Sequence, residues 1–242
     1  MKLKGKRAVI TGGSRGIGAA TAIALAAKGA DVAVVYHSNR EKAEQIVAAA
    51  KNHNVRAQAF GADLRNWDEV QQLMEGVIHS FGGIDILINS AGINGNNTLL
   101  EEITMDEWKN VIDSNLTSAF YCVKAAVSEL KKNQGKVINL SSIAAKMGGK
   151  LGSHYAASKG GLSSMTFSMA TELAPDVTVN AIAPGPVDTE LISNEVKQKL
   201  AALTPFGRIA TPEEIAHTVI YLLENDFVTG EIIDVNAGRH KD

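Results

Sequence analysis

The feature that most constrains this chain is an alternation. Short runs of β-branched and apolar residues lie at 7–11, 32–36, 55–60, 84–89, 137–140, 177–182 and 232–235. Stretches with helical spacing fall between them, at 17–28, 40–52, 67–81, 106–132, 155–174 and 212–224. Several of the short runs are apolar throughout, as strands covered on both faces must be. Strand–helix alternation predicts a parallel sheet with helices on both faces. Right-handed crossovers then favour a doubly wound α/β fold with a mostly parallel, seven-stranded sheet. A chain of 242 residues with 45% hydrophobic content suits one domain spanning 1–242. Acids at Asp68-Glu69 and in Thr211-Pro212-Glu213-Glu214 mark helix starts. The stretch 184–210, with Pro184, Gly185, Pro186, Pro205 and Gly207, reads as a mobile substrate loop.

Charge and cysteine usage exclude several classes. With 24 basic and 26 acidic residues, the net charge of −2 offers no footprint for nucleic acid or an anionic membrane. The apolar run after Lys2, Lys4, Lys6 and Arg7 is too short for a secretory signal, and no run approaches a membrane span. The single cysteine, Cys122, rules out an internal disulfide and fits a reducing cytoplasm. The six histidines show no ligand spacing, so no metal is expected.

Thr11-Gly12-Gly13-Ser14-Arg15-Gly16-Ile17-Gly18 joins the first strand to the first helix. Glycines there let the turn close and let backbone approach a pyrophosphate, while the helix start offers free N–H groups. By itself the loop also fits a tight strand-to-helix turn without a ligand. The second strand ends Tyr36-His37-Ser38-Asn39-Arg40, with no acid for ribose hydroxyls. Arg15 and Arg40 could instead pair with a 2′-phosphate, which favours NADP(H) over NAD(H); both could equally be surface charges.

Tyr155 and Lys159 stand four apart, on one helix face. A nearby ammonium favours phenolate, so Lys159 is expected to lower the Tyr155 pKa and fit the phenol for acid–base work. Ser142 follows the preceding strand and could hold a substrate oxygen. A Tyr–Lys pair alone is weak evidence; joined to the glycine loop it is strong.

Together these motifs resemble the short-chain dehydrogenase/reductase family, in its main single-domain branch with a Rossmann fold. The resemblance spans nearly the whole chain. It rests on the glycine loop, on Asp63-Leu64, on Asn89-Ser90-Ala91-Gly92, on Asn115, on Ser142 with Tyr155 and Lys159, and on Pro184-Gly185 with Thr189. It implies hydride transfer between a nicotinamide and a carbonyl or secondary alcohol. In reduction Tyr155 would protonate the alkoxide and Ser142 would bind the oxygen. Lys159 would hold the nicotinamide ribose, and Asn115 would position a water linking Lys159 to solvent. The implied cofactor residues are Gly12, Ser14, Arg15, Gly16, Ile17, Gly18, Tyr36, His37, Ser38, Arg40, Asp63, Leu64, Asn89, Ala91, Gly92, Tyr155, Lys159, Pro184, Gly185, Val187 and Thr189.

The pattern is most similar to 3-oxoacyl-[acyl-carrier-protein] reductases, which implies a carrier-bound substrate and a place in fatty acid biosynthesis. Lys131 and Lys132 are the expected basic residues near the cleft mouth. Two features depart from that group: the turn Ala174-Pro175-Asp176, and the loop Ile93-Asn94-Gly95-Asn96-Asn97. A small ketone, sugar or polyol therefore stays open as substrate, as does a dinucleotide sensor without turnover. The resemblance also implies a homotetramer, with helices 106–132 and 155–174 and the last strand as surfaces.

Overall fold

Strand β1 (Arg7–Thr11) is buried along most of its length, and its side chains divide between two cores. Ala8 and Ile10 enter one apolar cluster with Ala22, Leu25, Val219 and Leu222. Val9 enters the other, with Val70, Leu73, Cys122 and Ala126. That division is the period-2 rule at work on a strand covered from both sides. The computed structural model describes residues 1–96, 99–149, 151–190 and 192–240.

The remaining strands are β2 (Asp31–Tyr36), β3 (Ala57–Gly61), β4 (Ile86–Asn89), β5 (Lys136–Leu140), β6 (Thr178–Pro184) and β7 (Ile232–Val235). They form one seven-stranded sheet in the order β3-β2-β1-β4-β5-β6-β7, and each neighbouring pair runs parallel. The order reverses between β1 and β4. Chains wound this way open a crevice beyond the carboxyl ends of the strands at that reversal.

The helices are α1 (Gly16–Ala27), α2 (Arg40–Lys51), α3 (Trp67–Phe81), α4 (Met105–Ile112), α5 (Ser118–Lys132), the short α6 (Ala144–Met147), α7 (Ser153–Leu173), α8 (Asn194–Ala202) and α9 (Pro212–Glu224). Asn66 caps α3, and Thr211 with Glu214 forms a complete capping box on α9. The structure corrects two expectations. The continuous helix over 106–132 is interrupted by a π-helical turn at Asp113–Thr117, with Asn115 inside it; such turns gather at functional sites. The stretch 184–210 is not structureless: it carries the end of β6, a bridge between Val187 and Ala210, and α8, capped by Ser193.

A buried polar chain ties the sheet to α7. Asn89 Nδ2 donates to Asn139 Oδ1 at 2.9 Å, Asn139 Nδ2 donates to Thr166 Oγ1 at 2.9 Å, and Thr166 donates to the Leu162 carbonyl at 2.9 Å. Asn89 and Asn139 are directly paired across β4 and β5.

Candidate active site

The crevice at the β1/β4 reversal is a cleft of about 440 Å³. Its wall begins with Gly12, Ser14 and Arg15 from the loop after β1. Tyr36, His37 and Ser38 come from the end of β2, Asp63 and Leu64 from beyond β3, and Ala91 and Gly92 from beyond β4. The glycine loop is built by contact. A Cβ on Gly12 (φ +63°) would stand 2.9 Å from Ala91 Cα, and one on Gly18 would stand 2.3 Å from the Gly12 carbonyl oxygen. Thr11 closes the same corner: its hydroxyl accepts from the Ser90 and Ala91 amides at 3.0 and 3.1 Å. Helix α1 starts at the loop without an acid in its first turn and without a side-chain cap on its N–H groups. Free N–H groups, a positive helix end and backbone stripped of Cβ atoms fit a pyrophosphate.

The charges around the cleft differ partly from expectation. Asp63 is held by Arg65 through both carboxylate oxygens, which lowers its pKa to about 2. Asp31, the acid of β2, is bonded to Arg56 at the far end of its strand. Arg40 does not face the cleft: it lies beside Glu44, one helical turn along, with its side chain 77% exposed. Lys42, two residues further, lines the cleft and pairs with Glu190. Sequence spacing gave no sign of Lys42 or Arg65, because which side of a short helix faces a cleft depends on how that helix docks.

The other implied cofactor residues stand around this wall. Asn89 directs its side chain into the polar chain of the sheet. Gly16 lies against Thr189, whose Cγ2 would meet an added Cβ at 3.2 Å; Ile17, between Gly16 and Gly18, packs partly buried on the α1 core. Gly185 is bonded to the Val235 carbonyl, and the Pro184 carbonyl accepts from Ile143, next to Ser142. Val187 is buried and bridges to Ala210.

Ser142 sits beyond β5, and its Oγ accepts from the Ala144 amide at 3.1 Å. Tyr155 and Lys159 share a face of α7, with Lys159 Nζ 5.9 Å from the centre of the phenol ring. The direction of the Tyr155 shift is opposite to the sequence expectation. Burial pushes the phenol up, and a hydrogen bond with Ser142 opposes that in part. Lys159 cannot rescue the phenolate from beside the ring face. It is itself buried, which lowers its pKa to about 8, and its Nζ donates to the Leu140 carbonyl at 2.7 Å. Asn115 braces the backbone of Ile93: Oδ1 accepts from the Ile93 amide at 2.7 Å, and Nδ2 donates to the Ile93 carbonyl at 2.9 Å and to Ser158 at 3.0 Å. Lys131 and Lys132 are displaced from the expected place. They end α5, whose start, Ser118, lines the cleft. Fifteen helical residues carry them about 20 Å away, to the amino ends of β4 and β5.

A glycine loop at the switch point of a parallel sheet, beside a serine, a tyrosine and a buried lysine, is the arrangement of a nicotinamide-dependent oxidoreductase. Comparison with known proteins agrees. Residues 12–240 match the family described as Enoyl-(Acyl carrier protein) reductase. The chain is 38% identical to a 3-oxoacyl-[acyl-carrier-protein] reductase of Staphylococcus aureus, over 97% of this chain and 98% of that protein. It is 40% identical to the 3-oxoacyl-[acyl-carrier-protein] reductase of Synechocystis, over 96% and 95%. Among solved structures it resembles a dehydrogenase/reductase from Sinorhizobium meliloti, with a TM-score of 0.93, 33% identity and coverage of 99% and 98%. A short-chain dehydrogenase/reductase of Serratia marcescens gives 0.92, 34%, and 99% of both chains. The chain belongs to the short-chain dehydrogenase/reductase family. Among the described residues, no helix is long and apolar enough to cross a membrane.

Proposed function

We propose that the protein is an NADPH-dependent 3-oxoacyl-[acyl-carrier-protein] reductase, serving fatty acid biosynthesis. The observation that carries the substrate class is the near-full-length similarity to two reductases of that name. A nicotinamide dinucleotide, when bound in the cleft, would supply the hydride for reduction of a keto carbon. Tyr155 is the proton donor. Its raised pKa keeps the phenol protonated near neutrality, the form that reduction needs. Ser142, hydrogen-bonded to that phenol, holds the carbonyl oxygen and stabilises the charge that develops on it. Lys159, whose Nζ would stand 3.6 Å from a Cβ on Gly92 of the cleft wall, would hold the ribose hydroxyls. Asn115 holds the turn after β4 in place through Ile93.

The preference for NADPH rests on Arg15 and Lys42 at the cleft and on the lack of an acid at the end of β2. A 2′-phosphate would take the place of Glu190 on Lys42 and pair with Arg15. Paired titration with NADPH and NADH tests this. The expected outcome is tighter NADPH binding, reduced about tenfold or more in Arg15→Ala and Lys42→Ala, with NADH little changed. Equal binding of the two dinucleotides refutes the preference. Tyr155→Phe should lower turnover of a 3-oxoacyl thioester by roughly 10²–10⁴-fold. A folded variant that keeps most of its activity refutes the site. Faster turnover of the carrier-bound substrate than of free ketones, sugars or polyols supports the substrate class; the reverse order overturns it. A homotetramer is proposed from exposed aromatic residues on the expected surfaces, Phe167 on α7 and Phe227 near β7, which are 51% and 100% exposed.

A further inference from the structure

His154 is the second residue of α7 and has no exposed surface. The helix begins from Gly152, which has no side chain to cap it. The amides of a first helical turn need partners from outside the helix. One of them, the amide of Tyr155, donates to Nδ1 of His154 at 2.8 Å. Nδ1 is therefore an acceptor, and the ring hydrogen of the neutral imidazole sits on Nε2. Nε2 is buried, has no hydrogen-bond partner among the described residues, and faces Glu107 Oε1 of α4 at 3.6 Å. Glu107 Oε1 in turn accepts from the Asn96 amide at 2.5 Å. Between these groups passes Gly95, at φ +78°; a Cβ there would stand 2.4 Å from Nε2. The imidazole is thus the floor on which the turn 93–96 rests, and Ile93 of that turn lines the dinucleotide cleft.

We infer that His154 is a positioning residue, fixing the backbone of Tyr155 through Nδ1 and seating the turn after β4 through the outer edge of its ring. The inference rests on Tyr155 as the proton donor. The two contacts belong to one rigid ring, so the catalytic helix and the cleft turn cannot shift independently. They are also chemically separable. Asparagine places Oδ1 where Nδ1 stands and so keeps the acceptor, but it lacks the outer ring. Leucine fills the space but offers no acceptor.

The test compares His154→Leu, His154→Asn and Tyr155→Phe, each with a thermal midpoint, in NADPH-dependent reduction of the acetoacetyl thioester of N-acetylcysteamine, below all the midpoints. His154→Leu should lose about tenfold in kcat, the scale of a lost helix cap, with NADPH affinity unchanged. His154→Asn should recover most of kcat but weaken NADPH binding, because the turn that carries Ile93 into the dinucleotide cleft loses its floor. Equal kcat in the two His154 variants, or wild-type kcat in the leucine variant, overturns the inference. If Tyr155→Phe is inactive in that case, only the positioning role falls. If Tyr155→Phe is fully active, the reading of the site falls with it.

Discussion

Gly18→Ala sets two known effects against each other. In an exposed helix, alanine in place of glycine stabilises by about 1 kcal/mol. At Gly18 the new Cβ would lie 2.3 Å from the Gly12 carbonyl oxygen, 2.9 Å from its carbon and 3.1 Å from Gly13 Cα. All three are backbone atoms, so no side chain can swing aside. Relief requires α1 to retreat from the loop by about 1 Å, toward an ordinary contact distance. Helix α1 carries Ala22, Leu25 and Ala26, all fully buried, so its retreat loosens one of the two cores. Overpacking of this kind costs about 1–3 kcal/mol and outweighs the propensity gain. The expected net loss is up to about 2 kcal/mol, or up to roughly 8 °C in midpoint for a chain of this length. Moving the helix start should also weaken NADPH binding at least tenfold, since its N–H groups no longer converge on the phosphates. Gly76→Ala in α3 is the control. Its nearest neighbour is Phe60 Cε1 at 3.7 Å, so it should gain about 0.5–1 kcal/mol. Calorimetry and a fluorescence titration measure both quantities. A Gly18→Ala protein that is more stable than wild type and binds NADPH undiminished would refute the close-contact argument.

Lys159→Met should stabilise the ligand-free protein at pH 7, by on the order of 2–3 kcal/mol, because it removes a buried ammonium whose pKa is held at about 8; turnover should fall at least 100-fold. In the wild type the unfolded chain binds the additional proton between pH 8 and about 10.5, so this contribution to stability rises with pH there, and urea midpoints across that window should show the rise only when Lys159 is present. Asp63 gives the same direction with pH but the opposite effect at neutrality, since its charged form is the stabilising one. Its depressed pKa contributes stability above the unfolded value near 4, which is lost as pH falls toward about 2. Arg65→Met should flatten that acid-side loss in urea melts. Light scattering should find a four-chain mass for the wild type, and Phe167→Asp or Phe227→Asp should reduce it.

The strands were legible because burial on both faces leaves short, largely apolar runs, as in Ile86–Asn89 and Lys136–Leu140 apart from Asn89, Lys136 and Asn139, displaced from expectation by only a residue or two. The break at Asp113–Thr117 was not, since a π-helical turn uses the same residue types as the α-helices around it. Helix α8 escaped notice because it is short and buries none of its residues, so Val196 and Leu200 are its only large apolar side chains. At the site, Ser142, Tyr155 and Lys159 could be found from spacing, as could the glycine loop. Lys42 could not, nor could the direction of the Tyr155 shift, which depends on how completely the phenol is buried and on where the ammonium lies against its ring. Lys131 and Lys132 were misplaced although the alternation itself locates them: a helix that leads into a parallel strand ends at that strand's amino end, away from the crevice.

The pair Asn89 and Asn139 gives the central strands a single allowed alignment. A slip of one residue between β4 and β5 would turn both amides out of line with each other, and a slip of two would part them by about 6–7 Å. Either leaves buried amide groups unmatched, a larger penalty than apolar strands could impose by shape alone. Gly92 lies three residues past Asn89, and Ser142 three past Asn139. The amide rung therefore acts as a gauge block: it keeps the cleft wall at Gly92 and the turn at Ser142 level with each other, although neither touches it.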